Sequence, residues 1–318
     1  MRVVFMGTPE FATYSLQTLI DMPVEIVGVF TQPDRPVGRG HKLEAPPVKQ
    51  LAEKHGLPVF QFERVKRPEG LEQMRALEPD LVVTAAFGQI LSKALLDVPK
   101  MGTVNVHASL LPRHRGAAPI NWSIIQGEKV TGVTTMLTDV GMDTGDMLLR
   151  TETEIGFEET AGELTERLAK IGAELLRTTI EKYAAGEITP VKQDEDAHTY
   201  EPMLSKELGR VDWTKTAQEI HNLVRGVNPW PGAFTEMGAN VLKIWKTLPC
   251  EGGNGVCGSV IASSAKDGLK VACGNGTALE ILELQLPGGK RMSAKAYLAG
   301  KKMPEGMILG AENGFEKD

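Results

Sequence analysis

The sequence predicts an α/β protein in two parts, a doubly wound, mostly parallel sheet followed by a small OB-like β-barrel. Three observations carry this prediction. Strand-like and helix-like stretches alternate through the first 155 residues. A long amphipathic stretch at 160–185 then gives way to an aperiodic, charged segment. Beyond it, short strands recur between glycine-rich turns. A length of 318 residues fits two domains.

Residues 2–6, 24–30, 80–85, 102–106 and 131–137 are short, β-branched and bounded by Gly, Pro or Asp, which marks strands. Helical stretches lie between them near 9–20, 46–55, 69–77 and 117–127. Strands that are apolar almost throughout need cover on both faces, as a parallel sheet provides. The turn Gly7-Thr8-Pro9-Glu10 puts Pro9 at the first helical position behind a Thr8 cap. It is not G-x-G-x-x-G, so it lends a dinucleotide site no support. From 160 to 185, Leu164, Leu168, Ile171, Leu175, Ile180 and Tyr183 recur at helical spacing. Residues 187–206 have the composition of a linker. A helix near 215–226 leads through Asn228-Pro229-Trp230-Pro231-Gly232 into strands near 233–236, 241–246, 256–263, 269–273 and 277–284.

The chain is 42% hydrophobic and 24% charged, which excludes a disordered protein. No apolar run approaches the ~18 residues of a membrane span, and the N-terminus lacks the pattern of a signal peptide. The expected location is the cytoplasm. Cys250, Cys257 and Cys273 are odd in number and lack metal-ligand spacing, so neither a disulfide framework nor a metal is expected. The net charge of -6 argues against coating nucleic acid wholesale. That charge is uneven, with 22 basic and 29 acidic residues up to 206, against 13 and 12 beyond it. A polyanionic partner can therefore be held locally.

The chemistry concentrates at the end of the 102–106 strand, in Asn105-Val106-His107-Ala108-Ser109-Leu110-Leu111-Pro112 and the loop Arg113 to Pro119. Strand alternation points Asn105 and His107 the same way, at the carboxyl edge where open α/β sheets bind ligands. A second loop, Asp139 to Asp146, follows the next strand and can bring a carboxylate to His107. A carboxamide donor, an imidazole and an orienting carboxylate suit acyl transfer to an amine. Donors stabilise the developing oxyanion, and the imidazole takes the amine proton. No G-x-S-x-G elbow competes with that reading. Read singly, each of the three residues is equally compatible with an ordinary structural role.

The patterns N-x-H-x-S-L-L-P-x-x-R-G and D-x-G-x-D-x-G-D resemble the signature of the folate-dependent formyltransferases, whose one-carbon donor is 10-formyltetrahydrofolate. The opening F-M-G-T-P-E-F-A, the segment T-Q-P-D-R-P-V-G-R-G-H-K-L and N-P-W-P are similar to the branch of that family acting on charged tRNA. The resemblance implies a Rossmann-like formyltransferase domain at 1–186, a linker at 187–206 and a tRNA-binding OB-like barrel at 207–318. It implies transfer of the formyl group to the α-amino group of methionine on initiator tRNA. Asn105 and His107 would stabilise the oxyanion, and Asp143 would pair with His107 and help move protons. Ser109, Leu110, Leu111 and Pro112 would line the folate site, with Gln89, Ile90 and Leu91 receiving the pterin.

The segment 31–49 is long for a strand-to-helix connection, where about 2–6 residues are usual. It is rich in Arg and Lys. By the same resemblance it would reach the tRNA acceptor stem through Arg39, Lys42 and Arg35. A monomer is expected. Two rivals are weighed: an enzyme on the same domain that formylates a sugar nucleotide amine or glycinamide ribonucleotide or hydrolyses the formyl donor, which the long basic loop and the barrel disfavour, and a catalytically silent folate- or tRNA-binding protein, against which Asn105, His107 and Asp143 speak.

Overall fold

The computed structural model describes residues 1–37, 42–301 and 303–310. In chain order it begins with β1 (Arg2–Gly7), α1 (Glu10–Ile20) and β2 (Glu25–Thr31). The short pair β3 (Arg35–Val37) and β4 (Lys42–Glu44) precedes α2 (Pro47–Lys54), β5 (Val59–Gln61), α3 (Pro68–Leu77) and β6 (Leu81–Ala85). Next come α4 (Lys93–Leu96), β7 (Thr103–His107), β8 (Arg115–Gly116) and α5 (Pro119–Ile125). β9 (Val130–Leu137), β10 (Met147–Glu154), α6 (Ala161–Ala184) and β11 (Tyr200–Glu201) follow.

The seven-stranded sheet has the order β10-β9-β7-β6-β1-β2-β5. The run from β7 to β5 is parallel throughout. Val3 to Met6 and Leu81 to Val83 are buried because both faces are covered. On one face Val4, Met6, Phe30 and Val82 meet Leu71 and Met74 of α3 and Leu95 of α4. On the other, Thr18 of α1 donates to the Ala173 carbonyl of α6 at 3.4 Å. Gly172 of α6 lies so near β7 and β9 that a Cβ there would meet Val106 at 3.0 Å and Val133 at 3.4 Å.

Four details differ from the sequence reading. β9 runs antiparallel to β7, so its carboxyl end lies level with Val104 rather than His107. Residues 147–154 form an edge strand with exposed Arg150 and Glu152, and that polar composition hides it from a search for apolar strands. Thr8 does not cap α1: its hydroxyl donates to the Phe87 carbonyl at 3.0 Å, and the N-cap is Pro9. The 31–49 segment contains an antiparallel ladder pairing Arg35 with Glu44 and Pro36 with Leu43.

The chain divides into two compact units. The first is Met1–Pro119, Val130–Glu154 and Thr165–Glu201; the second is Ile120–Lys129, Ile155–Leu164 and Pro202–Asp318. Residues 187–201, linker-like in composition, thus lie within the first unit.

The second unit holds α7 (Ala217–Gly226), β12 (Ala233–Met237), β13 (Asn240–Cys250), β14 (Val260–Ser264), β15 (Gly268–Ala272), β16 (Ala278–Gln285), β17 (Met292–Ser293) and α8 (Ala294–Gly300). Its strands form an antiparallel sheet in the order β12-β13-β16-β15-β14, with β17 on β16. Thr216 and Glu219 close a capping box at the start of α7. The apolar side of α7, Ile220 and Val224, packs with Leu242, Ile244, Leu279 and Ile281. Cys250, Cys257 and Cys273 are free thiols. Burial pushes the Cys273 thiol up to about 12. Among the described residues no helix is long and apolar enough to cross a membrane.

Candidate active site

Strands β6 and β7 pair Thr84 with Asn105. The Thr84 hydroxyl donates to Asn105 Oδ1 at 2.8 Å. This fixes the carboxamide with its oxygen toward β6, and among the described residues no acceptor meets Nδ2. Asn105 is therefore a positioned donor with its N–H groups unspent.

Two residues along, His107 is buried. Its Nε2 lies 2.9 Å from the His114 carbonyl. A carbonyl only accepts, so Nε2 carries a proton and Nδ1 is left as the nitrogen that can gain or lose one. Nδ1 stands 3.6 Å from Asp143 Oδ1. That is too long for a hydrogen bond and short enough for ion pairing once the ring is charged.

Asp143 reaches His107 although β9 ends at the far side of β7. Its backbone is left-handed, with φ 57°, a region that Asp tolerates better than most residues. Its Oδ2 accepts the Gly116 N–H at 2.9 Å. Two residues on, a Cβ at Gly145 would collide with the Leu137 carbonyl, so the return of the loop requires glycine there.

The remaining expected site residues divide by what their side chains already do. Ser109 is buried and donates to the Arg113 carbonyl at 2.7 Å. Leu111 is buried, and its N–H donates to Thr134 Oγ1 at 3.2 Å. Leu110 and Pro112 are half-buried. Gln89 spends its side chain on the Val65 N–H at 2.7 Å and the Phe62 carbonyl at 2.8 Å. Leu91 packs beside the α3 and α4 core, whereas Ile90 is 68% exposed. Arg35 pairs with Glu63 at 2.7 Å on the surface. Lys42 stands opposite Val37 in the β3–β4 ladder. Arg39 lies outside the described residues.

Sequence reasoning missed the groups behind these. Thr84 is found only from strand register. His114, buried beside Glu201 with Nδ1 2.9 Å from Oε1, supplies the carbonyl that holds His107. Gln193 and Thr199 hold the two loops from the 187–201 segment. That stretch has no periodicity from which burial could be read.

A model of the formyl transferase family matches residues 1–180, and one of the formyl transferase C-terminal domain matches residues 203–302. The chain belongs to the formyl transferase family. Proteins named methionyl-tRNA formyltransferase from Citrifermentans bemidjiense and Trichlorobacter lovleyi are each 53% identical to it. These alignments cover 98% and 97% of this chain, and 98% and 96% of theirs. The fold is shared with an N-formyltransferase of Helicobacter canadensis solved with folinic acid and dTDP-3-aminofucose. That structure has a TM-score of 0.67 at 18% identity, over 88% of this chain and 98% of that one. It is also shared with HypX of Aquifex aeolicus solved with tetrahydrofolic acid, with a TM-score of 0.61 at 18% identity, over 94% of this chain and 47% of that one. Asn105, His107 and Asp143 all fall within the first matched region of this formyl transferase, whereas Gln193, Thr199 and Glu201 fall between the two.

Proposed function

We propose that the protein transfers the formyl group of 10-formyltetrahydrofolate to the α-amino group of methionyl initiator tRNA, supplying formylmethionyl-tRNA for translation initiation. The convergence of Asn105, His107 and Asp143 carries this reading, because each group meets one need of acyl transfer to an amine. Full-length similarity to proteins named methionyl-tRNA formyltransferase supports the acceptor, and the folates bound in two neighbours of the same fold support the donor.

The donor supplies an N-formyl group whose C–N10 bond breaks as the new amide bond forms. Asn105 Nδ2 donates to the formyl oxygen as it becomes negative. His107 Nδ1 takes the proton that the attacking amine must lose, and the Asp143 carboxylate stabilises the resulting imidazolium. His107 then gives that proton to N10, so one proton leaves the amine and one reaches the leaving nitrogen. The unspent Nδ2 of Asn105 and the exposed Ile90 fit a folate held along Gln89 to Leu91 and Ser109 to Pro112.

The segment carrying Arg35, Arg39 and Lys42 contacts the acceptor stem in this reading. In this reading the first unit, which takes in residues 187–201, is catalytic, and the C-terminal domain at 207–318 binds tRNA. Bulges in β13 between Ile244 and Thr247 support an OB-like coiling of the C-terminal sheet. Lys243 and Arg291 stand over the Trp245 ring at 5.7 and 5.3 Å, with Arg291 also paired to Glu283, and this cation-flanked aromatic supports an RNA contact. The test is to incubate the protein with 10-formyltetrahydrofolate and methionyl-tRNA and to look for acid-stable formylmethionine on the tRNA. Its absence sinks the proposal.

A further inference from the structure

Residues 191–201 cross both loops that carry the candidate catalytic groups, and one buried carboxamide makes the decisive contacts. Gln193 is 7% exposed. Its Nε2 donates to two carbonyls, Asp143 O at 2.7 Å and Gly145 O at 2.8 Å. Its Oε1 accepts from Arg115 Nε at 3.0 Å. The orientation is fixed, because the reversed amide would set its oxygen against two carbonyls and its N–H groups against a guanidinium. Every strong site on the side chain is thus used within the first unit.

The Arg115 end is equally committed. Its guanidinium is bound at both ends by Glu195, at 2.8 and 3.1 Å, and holds that carboxyl below its usual range. Its backbone N–H donates to Thr199 O at 2.9 Å. The neighbouring His114 N–H donates to Thr199 Oγ1 at 2.8 Å, and the His114 carbonyl is the one that fixes His107.

We infer that Gln193 is a positioning residue for the transfer reaction, tying the Asp143 loop to the loop that holds His107. The inference rests on the proposed formyl transfer. The separation of 3.6 Å between His107 and Asp143 is spanned by no hydrogen bond of their own. Hydrogen bonding across β7 and β9 does not set it, since β9 ends level with Val104, and the Gly116 N–H that donates to Asp143 Oδ2 at 2.9 Å holds the carboxylate but not the backbone turn behind it. Asp143 also sits in a left-handed conformation, with φ 57°, that its neighbours must hold. The two N–H groups of Gln193 hold that turn on both sides of Thr144.

Gln193→Glu tests this with almost no change of shape. A carboxylate still accepts from Arg115, but it cannot donate, and it faces two carbonyls. The kcat for methionyl-tRNA is expected to fall about 10- to 100-fold, the scale of a small misplacement of reacting groups. Donor KM should stay near that of the wild type, whereas the two carbonyls left without a donor should lower the unfolding temperature. Amide exchange over residues 141–147 should quicken in the variant whatever reaction the protein catalyses. Gln193→Asn, which keeps the amide on a shorter arm, should recover part of the kcat.

An unchanged kcat overturns the inference, as does unchanged exchange over 141–147. So does a loss of kcat matched by an equal loss of donor binding. Wild-type protein that forms no formylmethionyl-tRNA overturns the parent reading instead. The exchange result then decides on its own whether Gln193 holds the loop.

Discussion

Thr84 Oγ1 and Asn105 Oδ1, opposite one another on β6 and β7, lie 2.8 Å apart, and this bond decides which end of the carboxamide is free to donate. Asn105→Ala removes the donor and should lower kcat by about 100- to 1,000-fold while donor binding changes little. Thr84→Val removes the bond that orients the carboxamide and keeps the packing, so its effect should have the same sign and be smaller. Steady-state kinetics on both variants check the order. If Thr84→Val matched or exceeded Asn105→Ala, the threonine would be acting on something other than the amide.

Asp143 separates charge from backbone shape. Asparagine tolerates the left-handed region, where Asp143 has φ 57°, and can still accept the Gly116 N–H. Asp143→Asn should therefore fold as the wild type does and lose turnover. His107→Ala should lose turnover by about 100- to 10,000-fold, as expected for removal of a general base. Asp143→Ala adds backbone strain of ~1–2 kcal/mol and should also unfold at lower temperature. Calorimetry on the Asn and Ala variants, alongside turnover, distinguishes the two contributions.

What the sequence made legible follows from what periodicity can and cannot carry. Alternation along 102–107 is enough to put Asn105 and His107 on one face, since a two-residue period needs no partner strand. The direction of β9 was not legible, because parallel and antiparallel strands share that period. The carboxylate of Asp143 arrives by a left-handed turn and a glycine at 145 that no spacing rule encodes. Residues 187–201 read as linker because their polar side chains look solvated. Gln193 and Glu201 are buried instead, their polar groups satisfied by the loops they hold.

The basic segment offers a prediction about the acceptor. In the described part of it, Arg35 is paired with Glu63 and Lys49 with Asp34, so much of the positive charge is already answered. Arg39→Ala should raise KM for methionyl-tRNA, leave donor binding intact and flatten the dependence of KM on salt. The control is a small methionine amide as acceptor. If the variant loses as much activity on that analogue as on charged tRNA, the segment serves the reacting groups rather than the acceptor stem.

In the second unit His221 makes stability depend on pH. Its ring stacks on Phe157 at 4.9 Å between centroids. Nε2 donates to the Phe157 carbonyl at 3.0 Å, and Nδ1 accepts from Thr247 Oγ1 at 3.1 Å. Burial is the main reason its pKa lies below the usual histidine value, and the nearby Arg225 acts in the same direction. The Phe157 carbonyl and Glu158 oppose them. The unfolded chain, with a histidine pKa of about 6.5, therefore binds more protons than the folded one just below that pH. Stability from this group is complete above about 6.5 and is lost as pH falls toward the lower folded value. The unfolding temperature should drop between pH 7 and pH 5. His221→Gln keeps an N–H for the Phe157 carbonyl but has nothing to titrate, so it should be less stable at pH 7 and show a flatter slope below it. Equal slopes for the two proteins would assign the acid sensitivity to another group.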